Sequence, residues 1–109
     1  MKLLSRAEEI ILTAVLLLDG NAYGITIRDH IKKVMGWEWS FATIYDPLNK
    51  LTKKGFVIKR TGKPTAERGG RRKCLYEITP EGKSALREIR EIQERIWAEV
   101  SILSLTPNN

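Results

Sequence analysis

The sequence predicts a mainly α-helical fold with one small β-hairpin. Three observations lead there: three short stretches with helical apolar spacing, two strand-like runs around a glycine-rich basic segment, and a long amphipathic stretch near the end. At 109 residues, with 42% hydrophobic and 29% charged residues, the composition is that of a folded soluble chain with room for one core. Residues 1–79 are expected to form the body, and 80–109 a closing helix with a frayed tail.

Ser5-Arg6-Ala7-Glu8 has the form of a capping box, with Ser5 as the cap and Glu8 reaching back to it. The run through Ala7, Ile10, Ile11, Ala14, Leu17 and Leu18 then reads as a first helix, broken by Asp19-Gly20-Asn21. Tyr23-Gly24 leads into a second helix, Ile25 to Met35, with Ile27, Ile31 and Val34 expected inward and Arg28, Lys32 and Lys33 outward. Trp37 and Trp39 lie in the next connection, where packing on the core is the expectation. Ser40 caps a third helix whose Phe41, Ile44, Leu48 and Leu51 share one face, with Gly55 suited to the left-handed residue at its end. Its opposite face carries Ala42, Thr43, Asp46, Asn49, Lys50 and Lys53.

Phe56–Arg60 and Lys73–Ile78 read as two strands. Residues 59–73 contain Lys59, Arg60, Lys63, Arg68, Arg71, Arg72 and Lys73 against Glu67 alone. That segment carries the chain's whole formal net charge of +6, and everything else balances. A charge excess confined to one hairpin tip is the footprint of a polyanionic partner. Three helices followed by a basic hairpin is the order of a winged helix-turn-helix. In that arrangement the third helix enters the major groove and the hairpin, or wing, reaches flanking phosphates.

Thr79-Pro80-Glu81-Gly82 opens a last helix, with threonine as cap and proline where its missing N–H costs nothing. The helix is expected to reach about Leu103. Leu86, Ile89, Gln93, Ile96, Val100 and Leu103 recur at alternating spacings of three and four, and Trp97 widens that seam. So long an apolar stripe exceeds what the body can cover, so a second copy across a two-fold axis is the expected partner.

These residues resemble the PadR family of bacterial winged-helix transcription regulators, in its short form with a single C-terminal dimerisation helix. The resemblance rests on Tyr23-Gly24, Ala42-Thr43-Ile44-Tyr45 with Leu48 and Leu51, Lys54-Gly55, Gly69-Gly70-Arg71-Arg72-Lys73, and Tyr76 followed by Ile78-Thr79-Pro80-Glu81-Gly82. It spans residues 8 to 103 and implies a homodimer on a roughly palindromic operator, usually as a repressor. It also implies release by small aromatic or amphipathic compounds, for which Trp97 is the ligand-binding candidate. The sequence departs from the family where Asp46 stands directly after Tyr45 and Pro47 falls one place late. Cys74 and Leu75 replace a basic residue and a tyrosine. Base specificity is therefore not carried over from relatives.

The expected protein is thus a cytoplasmic DNA-binding transcription regulator acting on double-stranded DNA. Thr43, Asn49 and Lys50 would enter the groove, Ser40 and Tyr45 would meet adjacent phosphates, and Lys63, Arg68, Arg71, Arg72 and Lys73 would hold the flanking backbone. The rival reading is a protein-interaction module whose basic wing binds an acidic partner. An enzyme is not expected: there is one histidine, one cysteine and no phosphate-cradling loop before a helix. No cofactor or metal is expected, and no run is long enough to span a membrane. Replacing Arg71 and Arg72 by alanine should weaken binding to all DNA sequences alike. The slope of log affinity against log salt should flatten by up to about 1.8, roughly 0.9 for each phosphate no longer neutralised; an unchanged slope would detach the wing from DNA.

Overall fold

The computed structural model describes residues 4–64 and 72–107. Helices α1 (Arg6–Leu17), α2 (Gly24–Met35) and α3 (Phe41–Lys53) precede strands β1 (Val57–Pro64) and β2 (Arg72–Ile78). Helix α4 (Pro80–Trp97) and a single 3-10 turn at Ile102–Leu105 complete the described chain. The mainly α fold with one hairpin is the fold the sequence predicts.

Helices α1, α3 and α4 each begin at a side-chain cap. The Ser5 hydroxyl accepts from the Glu8 N–H at 3.1 Å and Glu8 Oε1 accepts from the Ser5 N–H at 2.9 Å, so two free donors of α1 are satisfied reciprocally. Ser40 Oγ accepts from the Thr43 N–H at 3.1 Å, and Thr79 Oγ1 from the Gly82 N–H at 3.0 Å. Helix α3 stops at Gly55, whose φ of 80° only glycine adopts cheaply. The Phe56 N–H then turns back to the Leu51 carbonyl at 3.0 Å and fixes the exit into β1.

The core is one cluster. Ile11, Leu12 and Val15 of α1 meet Ile27 and Ile31 of α2, and Ile44, Leu48 and Leu51 of α3. Val57 and Tyr76 close it from the hairpin. Each such side chain contributes about 1.5–3 kcal/mol on burial, so the helical spacing of these residues is what commits each helix to one face. The strands pair antiparallel, Val57 opposite Ile78 and Lys59 opposite Tyr76, with an irregularity between Thr61 and Pro64. Ala22 adds a bridge to Tyr76, whose N–H donates to the Ala22 carbonyl at 2.8 Å, tying the α1–α2 turn to the sheet. Thr79 then seats α4 on the hairpin: its N–H reaches the Phe56 carbonyl at 3.0 Å and its hydroxyl the Gly55 carbonyl at 2.7 Å.

Four expectations need correction. Val34 is 66% exposed although it shares the helical spacing of Ile27 and Ile31; it lies in the last turn of α2, where Met35 packs against the core instead. Trp37 is 58% exposed rather than packed on the core; of the two tryptophans only Trp39 packs there. Leu17 is exposed at the end of α1. Helix α4 ends at Trp97, not near Leu103. Beyond Trp97 a single chain offers nothing for Val100 and Leu103 to bury against, and helices of this kind are held by packing rather than propensity. Ser101 instead accepts from the Leu103 N–H at 3.1 Å and starts the 3-10 turn.

One charged contact joins the ends of two helices. Glu8 is buried, 5% exposed, and its Oε2 accepts from Lys54 Nζ at 2.6 Å, at the C-terminal cap of α3. Burial pushes the Glu8 carboxyl up, but the hydrogen bonds from Lys54 and Ser5 outweigh it, and the group ionises below the ordinary glutamate range. A carboxyl with a lowered folded pKa adds stability above its unfolded pKa of about 4.3, and that stability is lost as pH falls through the folded value. Glu8→Gln keeps an acceptor for Ser5 but removes the charge. It should cost about 2 kcal/mol in urea unfolding at pH 7, with the difference from wild type shrinking below about pH 4. A deficit that does not change with pH would take the ion pair out of the stability of the fold.

Candidate nucleic-acid interface

Helix α3 has one face fully committed to the core. Ile44, Leu48 and Leu51 are each 0% exposed. With 3.6 residues per turn, this places Asp46 almost diametrically opposite, with Ala42, Thr43, Asn49, Lys50 and Lys53 around it. All six are exposed. Of the predicted groove residues, Thr43, Asn49 and Lys50 thus share one outward surface. Ser40 sits at its edge, its hydroxyl 2.8 Å from the Thr43 hydroxyl. Pro47 lies within α3, and the helix continues through it with Ser40 as its cap.

Tyr45 stands on the flank. Its ring stacks on Phe41 with centroids 6.1 Å apart, and its hydroxyl presses on Gly24, where any side chain would collide with it. That close approach gives the Tyr23-Gly24 pair a physical reason: a Cβ at the start of α2 would push the Tyr45 hydroxyl out of this position. The Arg28 guanidinium covers the other side of Phe41 at 4.5 Å and pairs with Glu38 at 3.2 Å. Lys32 adds a longer contact to Glu38 at 3.9 Å. A layer of charge and aromatic rings therefore sets the turn between α2 and α3. Sequence reasoning missed it. Arg28 and Phe41 lie on different helices with Glu38 in the connection between them, and the sequence places Phe41 on the apolar face of α3, where the structure leaves it 39% exposed.

Of the predicted wing residues, Arg68 and Arg71 lie outside the described residues, as do the side chains of Lys63, Arg72 and Lys73. Lower on the hairpin Lys59 and Arg60 are exposed, and Arg60 pairs with Glu77 of β2 at 3.0 Å.

The predicted seam on α4 divides in two. Leu86 packs against the core, Ile89 and Gln93 are half-buried, and Gln93 Nε2 donates to Glu9 of α1 over 3.5 Å. Ile96, Trp97, Val100 and Leu103 are exposed. Between α1 and α4 runs an open groove of about 830 Å³, from Thr13 and Leu16 past Leu86 and Ile89 to Trp97. Among the described residues no group of three metal-type ligands comes together, and no described helix is long and apolar enough to cross a membrane.

A family model for the PadR-like transcriptional regulators matches residues 12–88, from the middle of α1 to the middle of α4. The chain belongs to that family. It is a family of transcriptional regulators, not of enzymes, and the winged helix-turn-helix is its fold. No curated protein matches in sequence. Among solved structures, a transcriptional regulator from Clostridium thermocellum is 28% identical, with a TM-score of 0.60, over 87% of this chain and 90% of that one. The Bacillus subtilis PadR, solved in complex with operator DNA, is 27% identical with a TM-score of 0.65; the match covers 83% of this chain but 49% of that one. A PadR family regulator from Clostridium difficile shares the fold at a TM-score of 0.71 and 23% identity, over 94% and 100% of the two chains.

Proposed function

We propose that this PadR-like protein is a repressor that binds a palindromic operator as a homodimer and is released by a small aromatic or amphipathic compound. The observation that carries the reading is α3: one face buried to 0% exposure at three positions, the other exposed and, apart from Ala42, polar. Such a helix projects a rigid surface with the width of a major groove, and its buried side holds its rotation against the body. The wing, which carries the chain's excess positive charge in sequence, supplies phosphate contacts that position without specifying. The operator DNA bound by the Bacillus subtilis relative supports the same assignment.

The exposed end of α4 supports the dimer. Ile96 is 63% exposed beside Trp97 and Val100, an apolar strip that a second copy would cover. Two copies would then present two α3 helices about 34 Å apart, one turn of DNA, and so read an inverted repeat. Selection from random duplexes should yield a two-fold symmetric motif with wild type. Ile96→Glu should sediment as a monomer and lose most of its affinity for that motif. Absence of any motif would remove the operator reading, and a stable dimer in the variant would move the interface elsewhere.

Trp97 supports an inducer site. Its half-exposed indole closes one end of the α1–α4 groove, and such a wall suits flat apolar compounds, including cations. A compound there would act only by its difference in affinity between the DNA-bound and free arrangements. Planar aromatic compounds should therefore release the operator from wild type and not from Trp97→Ala. Equal release from both would place the site away from this indole.

A further inference from the structure

We propose that Asp46 is the specificity-determining residue of α3, selecting cytosine at one position of each half-site by accepting a hydrogen bond from its exocyclic amino group. The inference rests on the operator reading above and deepens it. Three observations carry it. Ile44, Leu48 and Leu51 at 0% exposure fix the direction opposite the core, and Asp46 lies there with Lys53, midway along the exposed face. Asp46 is exposed and has no hydrogen-bond or ion-pair partner within the chain among the described residues. An unpaired acid midway along the exposed face of a DNA-reading helix repels phosphates and calls for a donor on a base edge.

The third observation is the residue that follows. Pro47 lies inside α3 and has no N–H, so the Thr43 carbonyl lacks its usual helical donor, one turn back on the same side of the helix. The carboxylate on this face is an acceptor, and the Thr43 carbonyl within the helix is a second acceptor left without its helical donor. In the major groove guanine offers only the acceptors O6 and N7, thymine offers O4 and a methyl group, and both mismatch this surface. Adenine has an amino group but sets N7 beside it. Cytosine presents the amino group alone, and it is the base that Asp and Glu side chains pair with. Lys50, one turn further along and exposed, lies close enough to donate to the guanine of the same or the next pair. Lys50 and Lys53 also offset the acid's charge, so the face as a whole still approaches DNA.

The test is selection from random duplexes with wild type, Asp46→Asn and Asp46→Ala, followed by affinities on the selected sites. Because the side chain is exposed and unpartnered, both variants should unfold with wild type. Wild type should select a symmetric motif with cytosine at one fixed position per half-site. Asp46→Asn should keep the motif but change that position to adenine, which asparagine pairs with through N6 and N7. Asp46→Ala should lose preference there alone. On the wild-type site each variant should bind roughly 5- to 150-fold more weakly, the range for one mismatched base pair, with no loss on random DNA. The same motif from all three proteins would overturn the role of Asp46 while leaving the operator reading intact. No motif from wild type would overturn both.

Discussion

What this protein presents to a partner depends on how α3 is anchored. Ile44, Leu48 and Leu51 are fully buried against α1 and α2, and turning α3 by one residue, about 100°, would pull that triad out of the core. At roughly 1.5–3 kcal/mol per side chain, such a rotation would cost a large part of the stability of a small domain. The outward face is therefore fixed without any contact of its own. Its residues are free to be chosen for what they meet outside, which is how an unpaired acid comes to sit at its centre. The ends of the helix are pinned as firmly: the Ser40 cap and the Arg28–Phe41–Tyr45 layer at one, Lys54 on buried Glu8 at the other.

Much of this was legible because it is local. Ser5 with Glu8, Ser40, Thr79 with Pro80, and Gly55 are each read from a few neighbouring residues, and the structure places each cap where its chemistry requires. The apolar periodicity of α3 was equally plain, since its period matches the helix and its buried positions are large. Non-local contacts were not legible. Arg28, Glu38 and Phe41 meet only because α2 and α3 cross, and no spacing within one helix announces that. The pairing of Lys54 with Glu8 was hidden for the same reason; the sequence showed a capping glutamate and a terminal lysine, each already explained by its own helix.

The departures at Val34, Trp37 and the end of α4 share one cause. Apolar identity does not guarantee burial, because a small body has more apolar side chains than its core can take. On α4 the heptad spacing runs past Trp97, but the helix lasts only while α1 and the hairpin lie beneath it. Leu86 still reaches the core, Gln93 reaches Glu9, and Ile96 is left 63% exposed. The apolar pattern that continues beyond Trp97 is left uncovered within the monomer. That is the physical reason for seeking its cover in a second copy.

The same geometry bears on how the far end of the molecule could influence the proposed DNA-facing one. Gln93 of α4 touches Glu9 of α1, and the next residue, Glu8, holds Lys54 at the end of α3. These contacts are unequal. The Gln93 contact is long, at 3.5 Å, and easily given up, whereas the Glu8–Lys54 contact is short and buried. A shift of α4 would therefore be absorbed at the first contact before it disturbed the second, so twisting α3 within its own body is a poor route for a signal. Moving whole bodies relative to each other is a better one, because it leaves every buried contact of α3 intact. In the proposed dimer it would alter only the distance between the two α3 helices, to which a palindrome spaced by one turn of DNA would be sensitive. An α3 held rigidly by its own core, with only the Gln93–Glu9 contact easily given up, is the arrangement that such a mechanism would need.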